Sequence, residues 1–448
     1  MPTTDKKYDW YIKGFEQLEK SLNGESKSPI HSVRKDALAR FVELGFPTTR
    51  DEEWRFTNIA PIRNTKFHPS FEPRNVSVGI EQLNKLVVTD TGSIRIVFVN
   101  GHFAPTLSSI PSKAEGLQVG SLAEAVKKRN QVVNQHLARH AHFDSNAFVA
   151  LNTSYILDGA FVNVQDGVAV ETPIECVFVT TESGQEMIVN PRNLFVFGRN
   201  ARGTIVENHV SLHQSSCLNN VVTEIVVGED AVVEHDKLEA ENENSFHVGT
   251  THVRQAAKSN YTNNAVSLGG KIVRNNITVV LADEHAEATL NGLSLGTGDQ
   301  LVDSHTTIDH TVPNCASREV YKAILDGKAK GVFNGKVYVR QDAQKTDAKQ
   351  TNKTLLLSDE ATVNTKPQLE IFADDVKCTH GAAVGQLDEE QIFYLRSRGI
   401  GERSARDFLT FAFASDVVER MHTDSLREKL RGLIHARLEE GRNAGRTH

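Results

Sequence analysis

From Ile94 to Val363 the chain is written in short apolar or alternating runs, among them RIVFVN, AFVNV, ECVFVT, NLFVFG, TEIVVG, NITVVL, KVYVR and TLLLS. Each run has the length of one β-strand and is rich in the β-branched and aromatic residues that fit a pleated, half-buried surface. Polar or glycine-containing turns separate most of them, and amphipathic helical periodicity is nearly absent, so apolar side chains must be buried strand upon strand. A weak internal echo indicates how. RNARGTIVENHVSL from Arg199, GEDAVVEHDKLEA from Gly228 and ADEHAEATLNGLSL from Ala282 each place a small turn before alternating residues, roughly one β-helix coil or two apart. A sandwich needs regular hairpins, yet Asn-Gly occurs as VNGH, LNGL and FNGK without consistently joining two clean strands. A parallel β-helix, whose coils stack around a continuous interior, meets these constraints. AQKTDAKQTNKT, Ala343 to Thr354, has the composition of its polar corners.

Helical patterns flank this core. Before it, Val33, Ala37, Leu38, Phe41 and Val42 recur at helical spacing until Gly45 and Pro47 break the pattern, and TRDEEWRFTN reads as a packed return segment. After it, Asp388 is a good N-cap with Gln391 three residues on, Leu387 and Ile392 are placed for a hydrophobic staple, and Gly399 sits where a C′ glycine belongs. A second helix is expected to bury Ala405, Phe408, Leu409, Ala412 and Phe413, and a third Leu426, Leu430, Leu433 or Ile434, and Leu438. The expected fold is mainly β, with an N-terminal helical region at 1–65, a mixed connecting region at 66–160, a parallel β-helix at 161–372, and a strand with a C-terminal helical domain at 373–448.

With 448 residues, 39% of them hydrophobic, the chain is long enough to bury a large core and folds as a structured protein. Fifty Lys plus Arg against 57 Asp plus Glu, with no long basic run, argue against nucleic acid or an anionic membrane as primary partner. The N-terminus has no apolar stretch of secretory length and no window approaches about 18 uninterrupted apolar residues, so a cytoplasmic protein is expected. The four cysteines, Cys176, Cys217, Cys315 and Cys378, are far apart with no CxxC, so no disulfide framework or self-contained metal motif is written here.

No P-loop is present, which excludes nucleotide binding of that kind, and GTGDQL lacks the third glycine of a dinucleotide fingerprint. GLSLG around Ser294 matches a nucleophile-elbow pattern but is not followed by a helix, so Ser294 reads as a turn serine. SHTTIDHTVPNC offers His305, His310 and Cys315, each a structural residue or a ligand for a borderline metal, with Asp303 and Asp309 able to orient the imidazoles. In VKCTHGAAVG, Cys378 and His380 stand two residues apart, so on a strand both face one way, within reach of one metal or sulfur atom. An imidazolium there favours the thiolate, the reactive and ligating form. The bland alternative is a packed thiol and a backbone-bonded imidazole, and Asp374 and Asp375 beside them read as a solvated face.

GFPTTRDEEWRFTN, GVFNGKVYVRQDAQKTDAKQTNKTLLLS and DDVKCTHGAAVGQLDEEQIFYLRSRGI together closely resemble the SufB/SufD family of iron–sulfur cluster assembly proteins, the first pointing to its SufD branch. The resemblance covers nearly the whole chain; residues 66 to 160 match in general character only. It implies a right-handed parallel β-helix between helical regions and a noncatalytic scaffold that pairs with a SufB-like subunit through the β-helix. It also implies that a SufC-like ABC ATPase docks on the C-terminal helices, roughly Leu387 to Leu438, and hydrolyses ATP in place of the missing P-loop. By motif, Cys378 and His380 match the cysteine and histidine at the SufB junction, His380 being the stronger candidate to bind iron or a transient, shared iron–sulfur cluster. Cys315 lies in another matching motif without an assigned role. Flavin is implied only at the level of the assembled complex, and the isolated chain could form a homodimer. Where SufB-like chains carry a glutamate-bearing sequence this chain has HGAA, which sets it apart from the alternative of a SufB-type cluster-building subunit. The rival outside the family is a β-helix carbohydrate-active enzyme, which predicts an open groove of carboxylates and secretion.

Overall fold

In the computed structural model, which describes residues 9–22, 28–71, 78–90, 92–112, 114–182 and 184–444, the apolar runs become strands. From Arg192–Phe197 onward each pairs in parallel with the strand two places along the chain: Cys217–Val227 with Phe246–Gln255, and that with Ile272–Leu281. Alternate strands thereby build two separate sheets, and the chain passes back and forth between them in a parallel β-solenoid of about eight turns. Ile272 pairs with Leu301 and Leu301 with Lys330, so one coil there takes 29 residues. In such a stack each inward side chain lies on its equivalent one coil away. Phe195, Ile225, Val253, Val279, Ile308 and Val337 form one such column, all buried, each side chain worth roughly 1.5–3 kcal/mol of burial.

The echoes read in the sequence mark one corner of the solenoid. Asn200, Asp230, Lys258, His285, Asn314 and Lys345 occupy it with φ between 55° and 63°, a left-handed turn that Asn and Asp tolerate best. Lys258 fills the coil that the echoes skipped. The residue after each of these turns inward, and Ala201, Ala231, Ser259, Ala286, Cys315 and Thr346 form a buried ladder of small side chains. Cys315 thus occupies a place that other coils give to alanine. The run from Ala343 to Thr354, expected at the corners, makes this turn at Lys345 and then enters strand Asp347–Leu356, where Gln350 and Asn352 are buried.

Helices cover the two outer faces. Asp9–Ser21 and Pro29–Leu44 bring Tyr11 and Phe41 into a cluster that covers Phe246, Ile272 and Leu301 of one sheet. The return segment makes a short 3-10 turn at Glu52–Trp54, and the Arg274 guanidinium lies 3.8 Å above the Trp54 ring. On the other sheet, Glu402–Val418 and Asp424–Ala444 pack Ala414, Val417, Leu426 and Leu430 against Leu238, Leu293 and Leu355. Asp388 caps Glu389–Ser397 by accepting from the amides of Glu390 and Gln391, and Gly399 ends it with φ of 85°. The expected stripe of the next helix divides. Ala405 is buried, but Phe408 and Ala412 face outward, and Thr410, Ala414, Val417 and Val418 are buried instead. Phe411 and Phe413 pack partly buried beside these residues, and Phe408 is the phenylalanine of this helix left outside. Among the described residues no helix is long and apolar enough to cross a membrane.

The two ends of the solenoid differ. At the start, antiparallel strands close both sheets: His102–Phe103 on Ile94–Val99, and Leu117–Ser121 on Ala160–Val164. At the other end Thr362–Ile371 and Lys377–Gly385 are the outermost strands of their sheets, each paired on one side.

The small-residue ladder predicts that Ala286→Leu overfills the corner and lowers stability by about 1–3 kcal/mol. Urea unfolding of the full chain checks this; an unchanged midpoint would mean that the corner has room to spare.

Candidate functional site

Strand Lys377–Gly385 places Cys378 opposite Ala348 and His380 opposite Gln350. One coil further in, these face Ser317 and Glu319, and all four of those inner residues are buried. Cys378 and His380 therefore hold inward positions on the last coil, where the interior of the solenoid meets the surface. The thiol is half-buried and the imidazole exposed. Their shared face is the one expected for a strand. A thiol and an imidazole suit iron or an iron–sulfur cluster, but a cluster held by four protein ligands needs two more than this pair offers. Partial burial, with Asp347 adding to it, pushes the Cys378 thiol above its ordinary pKa. The expected thiolate is thus not the resting form, and ligation must expel a proton. Asp374 and Asp375 are exposed, and Asp375 pairs with Lys345, as a solvated face should.

Beneath His380 the inward column stays polar. Gln350 Nε2 donates to Glu319 Oε2 at 2.7 Å, and burial raises the Glu319 pKa to about 7.

His305, His310 and Cys315 are not brought together. His305 faces outward, its Nε2 3.0 Å from Asp303 Oδ1 and its Nδ1 3.2 Å from Glu53 Oε2. Burial opposes its charged form, but Asp303 and Glu53 outweigh burial and hold its pKa above the ordinary value. It is an ion-paired anchor for the return segment. His310, five residues along the same strand, turns to the opposite face, where burial lowers its pKa to about 4 and Nε2 lies 2.9 Å from Ser317 Oγ. The Cys315 thiol donates to the carbonyls of Asp283 and Pro313, and burial raises its pKa. Ser294 is buried within strand Glu287–Gly296, neither at a turn nor before a helix, so it has no nucleophile geometry.

A separate group inside the solenoid is not marked by any motif in the sequence. Among the described residues, His209, Glu241 and His247 are the set of potential metal-binding side chains that converge. The available signal was VEHDKLEAE, in which both alternating faces are polar, so that charged groups must point into the interior.

Comparison with known proteins agrees with this architecture. Residues 178–413 match the family model described as the SUF system FeS cluster assembly SufBD core domain, and residues 5–176 match the SufBD protein N-terminal region. The chain is 34% identical over 426 residues to an iron–sulfur cluster assembly SufBD family protein of Synechocystis sp., covering 93% of each. It is 31% identical over 424 residues to the iron–sulfur cluster assembly protein SufD of Escherichia coli, covering 93% of this chain and 95% of that one. With SufD of Bacillus subtilis the identity is 25% over 434 residues, covering 94% and 97%.

Because burial raises the Glu319 pKa from its ordinary value of 4.5 to about 7 on folding, the folded state holds this proton to higher pH than the unfolded chain. Its contribution is complete below about pH 4.5 and is lost as pH rises through about 7, a fall of roughly 3 kcal/mol at 1.36 kcal/mol per unit. Glu319→Gln should abolish that fall, so the stability of the variant relative to the parent should grow by roughly 2–3 kcal/mol between pH 5 and pH 8. Urea unfolding at the two pH values measures it, and a constant difference would show that Glu319 does not titrate in this range.

Proposed function

This chain belongs to the SufBD family of SUF iron–sulfur cluster assembly proteins, and from that premise we propose that it is a SufD-type, noncatalytic scaffold subunit working in the cytoplasm. It joins a SufB-like subunit through the end of its solenoid, docks a SufC-like ABC ATPase on its C-terminal helices, and assists iron entry into a cluster formed between the subunits. The observation that carries this reading is that Cys378 and His380 stand together where the inward column of the last coil reaches the surface. Two donors hold iron only in part, and a neighbouring solenoid end supplies the others. The edges of Thr362–Ile371 and Lys377–Gly385 offer backbone groups for the same junction, since exposed parallel edges invite pairing. A second copy of this chain could meet that end when the partner is absent.

The helical end supports the second contact. Phe393, Tyr394, Ile400 and Phe408 are exposed, Phe393 by 74% and Phe408 by 61%, and large apolar groups gathered on one unit mark an interaction surface. ATP hydrolysis on the docked partner is the source of mechanical work, which this scaffold transmits to the junction.

Two measurements test this. In a co-expressed complex, His380→Ala should lower the iron and acid-labile sulfide recovered several-fold while shifting the stability of the isolated chain by no more than about 0.5 kcal/mol, as for an exposed residue. Unchanged cluster content would remove His380 from the site. Phe393→Ser with Phe408→Ser should weaken retention of the ATPase in a pull-down by about a hundredfold, on the scale of two lost phenylalanine contacts, and leave the SufB-like subunit bound. Full retention would place the ATPase elsewhere.

A further inference from the structure

Inside the solenoid, several coils from Cys378 and His380, side chains from both sheets and one corner converge. His209 comes from strand Arg202–Ser211, His247 from Phe246–Gln255 of the facing sheet, and Glu241 from the residue after Val232–Ala240. One nitrogen or oxygen atom of each lies within 4.8 Å of the others, and all three residues are buried. Glu241 Oε1 is 2.7 Å from His247 Nδ1, while Glu241 Oε2 has no hydrogen-bond partner. The His209 ring is held flat against Phe178, with centroids 4.7 Å apart, and its Nε2 lies 3.3 Å from Glu207 Oε2. This leaves Nδ1 as the nitrogen not engaged by Glu207, and a carboxylate behind a ligating imidazole is the usual means of fixing its orientation.

The surrounding charge also asks for a cation. Three carboxylates, Glu207, Glu239 and Glu241, are buried here: His235 Nε2 lies 2.9 Å from Glu207 Oε1, and the Lys237 ammonium stands 2.8 Å from Glu239 Oε1 and 3.1 Å from His247 Nε2. With neutral imidazoles two negative charges stay uncompensated in a low-dielectric interior, which is costly. A divalent ion supplies both charges at once.

We propose that His209, Glu241 and His247 bind one divalent first-row transition-metal ion within the solenoid. Two imidazoles and a carboxylate are a donor set that takes Zn2+ or Fe2+ and leaves further positions open. Ligands about 2.0–2.2 Å from one ion stand roughly 3–4 Å apart, so the three side chains need only draw slightly together. Binding at His247 Nδ1 moves the ring proton to Nε2, and Lys237 keeps Glu239 and Asn275, 2.8 Å away, as its partners. The site is independent of the pair at the solenoid end, so its failure leaves the proposed scaffold role untouched.

The test uses the full chain carrying Cys378→Ser and His380→Ala to silence the end pair, stripped with a chelator and titrated anaerobically with Co2+. The expected result is one tightly held Co2+ per chain with visible ligand-field absorption, and at least tenfold weaker binding after His209→Gln or Glu241→Gln in chains whose circular dichroism is unchanged. Should those variants not fold, X-ray absorption of the Zn2+-loaded parent decides: a shell of imidazole nitrogen and oxygen without sulfur supports the site. No retained ion, retention unaffected by folded variants, or sulfur in the shell overturns it.

Discussion

Every coil of a parallel solenoid satisfies its backbone through the coil before it and the coil after it, and the last coil has no successor. This chain resolves the first end within itself, where short antiparallel strands close both sheets. Among the described residues, it leaves the second end as two strands with one unpaired edge each. The register that stacks Phe195, Ile225, Val253, Val279 and Ile308 through the interior also determines what reaches that end. The columns that emerge there carry Cys378 above Ala348 and His380 above Gln350. Placement of the candidate ligands is thus a consequence of strand register, not of a dedicated loop.

The same constraint gives the two ends different chemistry. Near the middle, the interior mixes aliphatic columns with a buried polar group of His209, Lys237, Glu239, Glu241 and His247. Towards the open end a separate column carries Glu319, Gln350 and His380 above the apolar Leu290. Buried polar groups of this kind are expensive unless fully partnered, so their presence in a fold that is stabilised by aliphatic stacking points to use. Outside, Ala414, Val417, Leu426 and Leu430 hold the C-terminal helices against the sheet, while Phe393, Tyr394 and Phe408 stay exposed.

Much of the fold was legible because strand-length runs without helical periodicity leave few architectures, and the turns at Arg199, Gly228 and Ala282 really do sit at one corner. The intervening turn escaped notice because Lys258 is not a typical left-handed residue. The helix from Glu402 to Val418 announced an apolar stripe, but periodicity cannot say whether the sheet or another molecule covers it. By periodicity alone Phe408 fits the core, whereas Ala414 and Val418 fill that place. The Cys378–His380 pair was legible because a two-residue spacing on a strand fixes a common face. Cys315 was ambiguous because its real neighbours, Ala286 and Thr346 in the ladder, are about one coil away in the chain. For the same reason His209, Glu241 and His247, drawn from three elements, left no local motif.

Closure of the open end by another solenoid is what the proposed scaffold role requires first. Amide hydrogen exchange along Thr362–Ile371 and Lys377–Gly385 tests this, measured on the chain at a dilution where it is monomeric and again in complex with a SufB-like subunit. Slower exchange of the outward-facing amides of these two strands in the complex is the predicted result. Unchanged exchange there, with new protection confined to other surfaces, would contradict it.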